Sequence, residues 1–146
     1  FVTIKNGKED GLEVGWYENG QKMSEGTYKD GEPDGLSTYW YENGQKKFEL
    51  TLKDGEKWDG LYTRWYKNGQ KEYEKTYKDG VEYGPYTEWY ENGQKSSEKT
   101  YKAGEWDGLW TYWYENGKKK IEETWKDGKL ISEKCWNEDG NEKDCN

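Results

Sequence analysis

Leu36-Ser37-Thr38-Tyr39-Trp40-Tyr41-Glu42-Asn43-Gly44-Gln45-Lys46-Lys47-Phe48-Glu49-Leu50-Thr51-Leu52-Lys53 reads as two strands joined by a turn. Side chains alternate across a strand, so Leu36, Thr38 and Trp40 share one face of the first segment. Phe48, Leu50 and Leu52 share one face of the second, with Glu49, Thr51 and Lys53 on the other. Asn-Gly between such runs is a hairpin signal. The same phrase returns at Trp16-Tyr17-Glu18-Asn19-Gly20, Trp65-Tyr66-Lys67-Asn68-Gly69, Trp89-Tyr90-Glu91-Asn92-Gly93 and Trp113-Tyr114-Glu115-Asn116-Gly117, with a worn sixth copy at Cys135-Trp136-Asn137-Glu138-Asp139-Gly140. Turn glycines Gly20, Gly44, Gly69, Gly93, Gly117 and Gly140 fall 23 to 25 residues apart, so the 146-residue chain is a tandem array of one small unit.

Composition alone points the other way. Val, Ile, Leu and Phe make up about a tenth of the chain and 37% is charged, a profile normally too polar to offset chain entropy. Ten Trp and fourteen Tyr reverse that, because each ring can bury roughly 150 to 250 Å² and these recur at fixed positions, where neighbouring copies can stack them. The expected core is a ladder of Trp16, Trp40, Trp65, Trp89, Trp113 and Trp136. A net charge of −8 argues against nucleic acid and anionic membranes as partners. No stretch reaches the ~20 apolar residues that span a bilayer.

Two turn readings compete at Glu-Asn-Gly. A two-residue turn at Asn43-Gly44 pairs Tyr41 with Lys46 and puts Trp40 on the face of Glu49 and Thr51. A three-residue loop with Gly44 as a bulge pairs Tyr41 with Gln45 and gathers Leu36, Trp40, Phe48, Leu50 and Leu52. The second register is the expected one, since a one-residue slip scatters the apolar set. The other connection is an acidic glycine loop, as in Asp30-Gly31-Glu32-Pro33-Asp34-Gly35 and Asp54-Gly55-Glu56-Lys57-Trp58-Asp59-Gly60. Short connections force antiparallel neighbours. The expected fold is therefore all-β: tandem ~24-residue hairpins in an elongated, twisted, mostly single-layer open meander of about a dozen strands. Residues 1–146 form one repeat domain of about six units, with 1–11 an N-terminal half-unit and 130–146 a degenerate C-terminal cap.

Thr-Tyr-Lys-Asp-Gly, then Asp-Gly-Leu, then Trp-Tyr-Glu-Asn-Gly-Gln-Lys resembles the variant MORN repeat, found in bacterial proteins of which some are labelled antitoxin components. The resemblance covers essentially residues 1 to 145. It implies a β-hairpin repeat sheet used for binding or scaffolding, in a bacterial protein; the membrane occupation in the original MORN name is at odds with this acidic chain.

The parts of common catalytic sites are absent. There is no His, no phosphate-type glycine loop opening a helix, and no Cys or Ser with an evident base. Carboxylates repeat evenly along an open surface instead of facing each other across a cleft. The chain reads as non-enzymatic, with no catalytic residue and no cofactor. The one metal reading is calcium on hard oxygens of the acidic loops, Asp30, Glu32, Asp34, Asp54, Glu56 and Asp59, against plain polar turns.

The chain opens on Phe1 instead of Met, which suggests a removed targeting segment or a trimmed start. Cys135 and Cys145, the two cysteines, suggest a disulfide staple in an exported protein, with free thiols or intermolecular pairing as rivals. A secreted or cell-surface location follows. Phe1, Val2, Thr3 and Ile4 form an uncharged, β-prone first edge. Repeat alignment puts Phe1 in the column of Glu25 and Cys145 in that of Glu122, the same phase. Head-to-tail self-assembly into a fibre or surface filament is the first functional reading. The second is a monomeric module that binds a protein, such as a toxin, or a glycan.

Overall fold

The computed structural model describes residues 3–53, 55 and 57–146. Among them there is no helix, and fifteen strands form one antiparallel sheet. The strands are β1 (Thr3–Lys5), β2 (Lys8–Trp16), β3 (Lys22–Lys29), β4 (Glu32–Trp40), β5 (Lys46–Lys53), β6 (Lys57–Trp58), β7 (Gly60–Trp65), β8 (Lys71–Lys78), β9 (Val81–Trp89), β10 (Lys95–Lys102), β11 (Glu105–Trp106), β12 (Gly108–Trp113), β13 (Lys119–Lys126), β14 (Lys129–Trp136) and β15 (Glu142–Lys143). Thirteen follow one another across the sheet in chain order; β6 and β11 are short pieces paired with β5 and β10. The meander is all-β and open, as the hairpin repeat predicts.

An open sheet has no interior in the usual sense. The chain exposes 9531 Å², whereas a compact protein of 17.4 kDa would expose about 7,900 Å². The buried apolar side chains among the described residues are Leu50, Tyr62, Trp110 and Cys135. Burial is therefore lateral, between side chains of adjacent strands on the same face, and cross-strand pairs become the unit of stability, each worth roughly 0.2 to 1 kcal/mol.

The Asn-Gly turns take the three-residue form. Tyr41 N–H donates to the Gln45 carbonyl at 2.8 Å, and Gly44 N–H to the Tyr41 carbonyl at 2.9 Å, with Gly44 at φ 82°. The register beyond the turn differs from expectation. Trp40 lies opposite Lys46, but Tyr39 lies opposite Phe48, so Lys47 is an extra residue in the ladder. This second bulge cancels the offset of the turn. It recurs in each of the first five hairpins, between Gly15 and Trp16, Arg64 and Trp65, Lys95 and Ser97, and Tyr112 and Trp113 as well.

Two corrections follow from that bulge. Trp40 shares a face with Leu36, Thr38, Glu49 and Thr51, not with Phe48 and Leu52. The expected tryptophan core is likewise displaced: Trp16 is 59% exposed, and Trp40, Trp65, Trp89, Trp113 and Trp136 are half-buried on that second face. The stacked ladder runs instead through Tyr39, Phe48, Tyr62, Tyr73, Tyr86, Tyr101, Trp110 and Trp125, with successive ring centroids 4.3 to 6.3 Å apart. The physical reason is that each face then collects compatible groups. Phenyl and phenol rings meet rings, while the indoles lie under lysine chains that reach on to carboxylates.

The acidic loop is also shorter than its sequence suggests. Asp30 and Gly31 both have positive φ, 54° and 87°, and Lys29 pairs with Glu32, so the connection is a two-residue turn. Glu32 and Asp34 already belong to β4.

Candidate functional site

The repeated Tyr and Asn of the turn bind one copy to the next. Tyr17, Tyr41, Tyr66, Tyr90 and Tyr114 each donate their hydroxyl to the carbonyl of the next copy's Trp: Trp40, Trp65, Trp89, Trp113 and Trp136, at 2.7 to 2.9 Å. Asn19, Asn43, Asn68, Asn92 and Asn116 donate their side-chain amide to the next turn's backbone at 2.9 to 3.2 Å. These bonds satisfy turn carbonyls that no strand can reach. Residue-by-residue reading missed this role, although the recurrence of Tyr and Asn at fixed places in five copies was its signal.

The tryptophan face carries one motif in four of the five copies. Lys22, Lys46, Lys71 and Lys119 lie over the next copy's Trp40, Trp65, Trp89 and Trp136, 5.3 to 5.7 Å from the ring centre. The same ammonium groups pair with Glu25, Glu49, Glu74 and Glu122 at 2.5 to 2.6 Å. A line of Leu12, Leu36, Leu61 and Leu109 on this face is about half exposed.

The tyrosine face turns polar in its middle. Glu88 accepts hydrogen bonds from Tyr86, Ser97 and Lys99, and Ser97 is 2% exposed. Burial works against the Glu88 charge, but these three donors outweigh it and hold its pKa below the usual carboxylate range. Lys75 sits among the rings of Tyr73, Tyr77 and Tyr86 and pairs with Glu82 at 2.9 Å. Ser97 is enclosed, and the cluster ties β9 to β10 beside the rings of Tyr86 and Tyr101.

Burial also raises the pKa of Tyr62 and Tyr86, and pushes Tyr112 up to about 12 with help from Glu123 and Glu88. A raised pKa means the folded chain holds the proton more tightly. The associated stability is intact below the ordinary tyrosine value of about 10 and is lost as pH rises from there through 12 and beyond. Alkaline titration is expected to ionise these three only as the far-UV β signal collapses. Tyrosinate absorbance from all fourteen tyrosines near pH 10, with the β signal intact, would count against a buried ladder.

Of the calcium candidates, Asp54 and Glu56 lie outside the described residues. Asp30 sits in its turn, Glu32 and Asp34 line a shallow groove with Lys29 and Lys53, and Asp59 accepts from the Asp79 N–H at 3.4 Å. Among the described residues no three ligand side chains converge as a metal would require. Cys135 and Cys145 form a disulfide, with Cα atoms 5.2 Å apart. Cys135 lies opposite Lys143, because the last hairpin lacks the second bulge.

Of the expected assembly edge, Phe1 and Val2 lie outside the described residues, while Thr3 and Ile4 belong to β1. Among the described residues, β1 pairs with β2 at Lys8, Glu9 and Asp10, and β15 with β14 at Cys135 and Trp136. The three most exposed large apolar side chains among the described residues are Ile4 at 63%, Ile131 at 62% and Trp16 at 59%. All three lie on the strands at the two ends of the sheet.

The profile of the family described as MORN repeat variant matches residues 9–30, 33–54, 58–79, 82–103 and 106–127. The five matched segments are the first five full hairpins; β14 and β15 fall outside them. No curated protein matches the chain.

Proposed function

This chain belongs to the MORN repeat variant family, and from that premise we propose that it is a non-enzymatic structural protein, secreted or held at a cell surface, that assembles end to end into a filament. The observation that carries the reading is where apolar surface is left open. Along the sheet the turn tyrosines bind each copy to the next, whereas the three most exposed large apolar side chains among the described residues, Ile4, Trp16 and Ile131, lie on its outermost hairpins. Open strand edges are templates for pairing, and folded proteins usually blunt them. The disulfide suits an oxidising compartment.

Sedimentation over a concentration series, with negative-stain microscopy, tests this. The expected result is rods that lengthen in steps of one chain. A chain that stays monomeric at every concentration overturns it.

A second reading has its own observation. Leu12, Leu36 and Leu61 stand in line on alternate strands, roughly 9.5 Å apart, and Leu109 continues the line beyond Pro85 of β9, on a face with no covering layer. A monomeric module would present this line to an elongated partner, a protein such as a toxin or a glycan. Monomers that capture such a partner would favour it.

A further inference from the structure

The Asn-Gly turns stand side by side along one edge of the sheet. Across the first three runs an open groove of about 470 Å³, lined by Tyr17, Tyr41, Glu42, Asn43, Lys47 and Lys67. Small-ligand sites are of this size, roughly 300–1,000 Å³. Lys47 and Lys67 hold their ammonium groups 5.8 and 6.0 Å from the centre of the Tyr41 ring. Neither is paired with a carboxylate among the described residues, whereas Lys46 next to them holds Glu49 at 2.6 Å. The Asn43 amide donates to the Lys67 carbonyl at 2.9 Å and the Tyr41 hydroxyl to the Trp65 carbonyl at 2.9 Å, so the second and third turns are fixed to each other.

Both lysines break the repeat. The place of Lys67 is taken by Glu18, Glu42, Glu91, Glu115 and Glu138 in the other copies. The place of Lys47, the bulged residue, is taken by Met23, Glu72, Ser96 and Lys120 in the other four of the first five hairpins. Of the five turn tyrosines, Tyr41 alone has lysine in both places. One copy further on, Tyr66 has Glu72 and Glu91 there; burial first, then Glu72, Glu91 and Glu88, raises its pKa. One copy back, Tyr17, Glu18, Asn19 and Glu42 line an acidic groove. The turn itself does not require the lysines, because the other copies build it with glutamate.

We propose that the groove at Tyr41 binds an acidic sugar, a uronate residue within a short glycan. Two ammonium groups, each with three donors and no acceptor, take the sugar carboxylate. Glu42, in the same groove, accepts from ring hydroxyls and repels a doubly charged phosphate. The Tyr17 ring offers an apolar surface to the C–H face of the pyranose. Acidic grooves lie one copy away on either side, so the site fits a short acidic stretch and repels a long polyanion. The site is on the turn edge, apart from the sheet ends and from the leucine line, and is the same in a filament and in a monomer.

Calorimetric titration with trigalacturonate tests this, with galactotriose as the neutral counterpart and inorganic phosphate and hexaglutamate as competitors. Lys67→Glu and Lys47→Met install residues that other copies carry in those places, so both variants should keep the parent's circular dichroism and thermal midpoint. Lys126→Glu, on the exposed end of β13 at the opposite edge, changes the net charge as Lys67→Glu does and is the control. The expected result is binding of trigalacturonate by the parent, weakened about tenfold by Lys67→Glu and less by Lys47→Met, as loss of a charge-assisted hydrogen bond would do. The control should bind as the parent does. A parent that binds no trigalacturonate, equal binding of galactotriose, or equal losses in Lys67→Glu and Lys126→Glu overturns the site. Phosphate or hexaglutamate that displaces the trisaccharide at equal concentration overturns the sugar as its ligand. Sedimentation of the same samples reports assembly separately, so failure of the site leaves the end-to-end reading standing.

Discussion

Replacing Trp110 with alanine is expected to cost about 3–5 kcal/mol of unfolding free energy, the range for removing a large buried aromatic. Trp110 is 4% exposed. Its indole N–H donates to the Thr100 carbonyl at 3.1 Å, and its ring lies 4.8 Å from Trp106, 5.5 Å from Trp125 and 5.7 Å from Tyr101. The alanine would leave a gap that neighbours on a single-layer sheet have no second layer to fill. Trp16→Ala, by contrast, removes a ring that is 59% exposed and should cost under about 1 kcal/mol, as surface changes do. Urea midpoints at constant slope measure the difference. A Trp16 or Trp40 variant that loses as much as the Trp110 variant would restore the tryptophan ladder that repeat spacing alone suggests.

Replacing both Cys135 and Cys145 with serine is expected to cost about 2.5–3 kcal/mol, from the loop-closure entropy of a cross-link of this short span. The bond joins residues ten apart and holds the two-residue strand β15 against β14. In a linear array each copy touches only its neighbours, so the loss should stay at the end where it is made. Amide exchange at Trp136 and Lys143 should speed up while that in β4 and β5 stays unchanged. Uniform acceleration along the sheet would mean the array unfolds as one unit.

Much of the architecture is legible in order of appearance along the chain. Asn-Gly and Asp-Gly pairs set between alternating runs leave only hairpins as a solution, and short connections leave only a meander. The disulfide partners are legible too, since two cysteines ten residues apart flank the final turn. The candidate surface is less so. Period-two alternation sorts Leu36, Thr38 and Trp40 from Tyr39, and Phe48 from Glu49, but says nothing about which set of one strand meets which set of the next.

By itself, then, the sequence determined the unit, its count, the strand order and the alternation within each strand, because these depend on local backbone preference and on chain connectivity. The tertiary structure alone decided which face became the ladder. A bulge at Lys47 adds one residue to one strand, and a one-residue shift exchanges the two faces of everything beyond it. No local signal marks that residue, for Lys46-Lys47, Lys95-Ser96 and Lys119-Lys120 read as ordinary strand. The bulge is set by what it brings together across strands, Tyr39 with Phe48 on one side and Lys46 with Glu49 and Trp65 on the other.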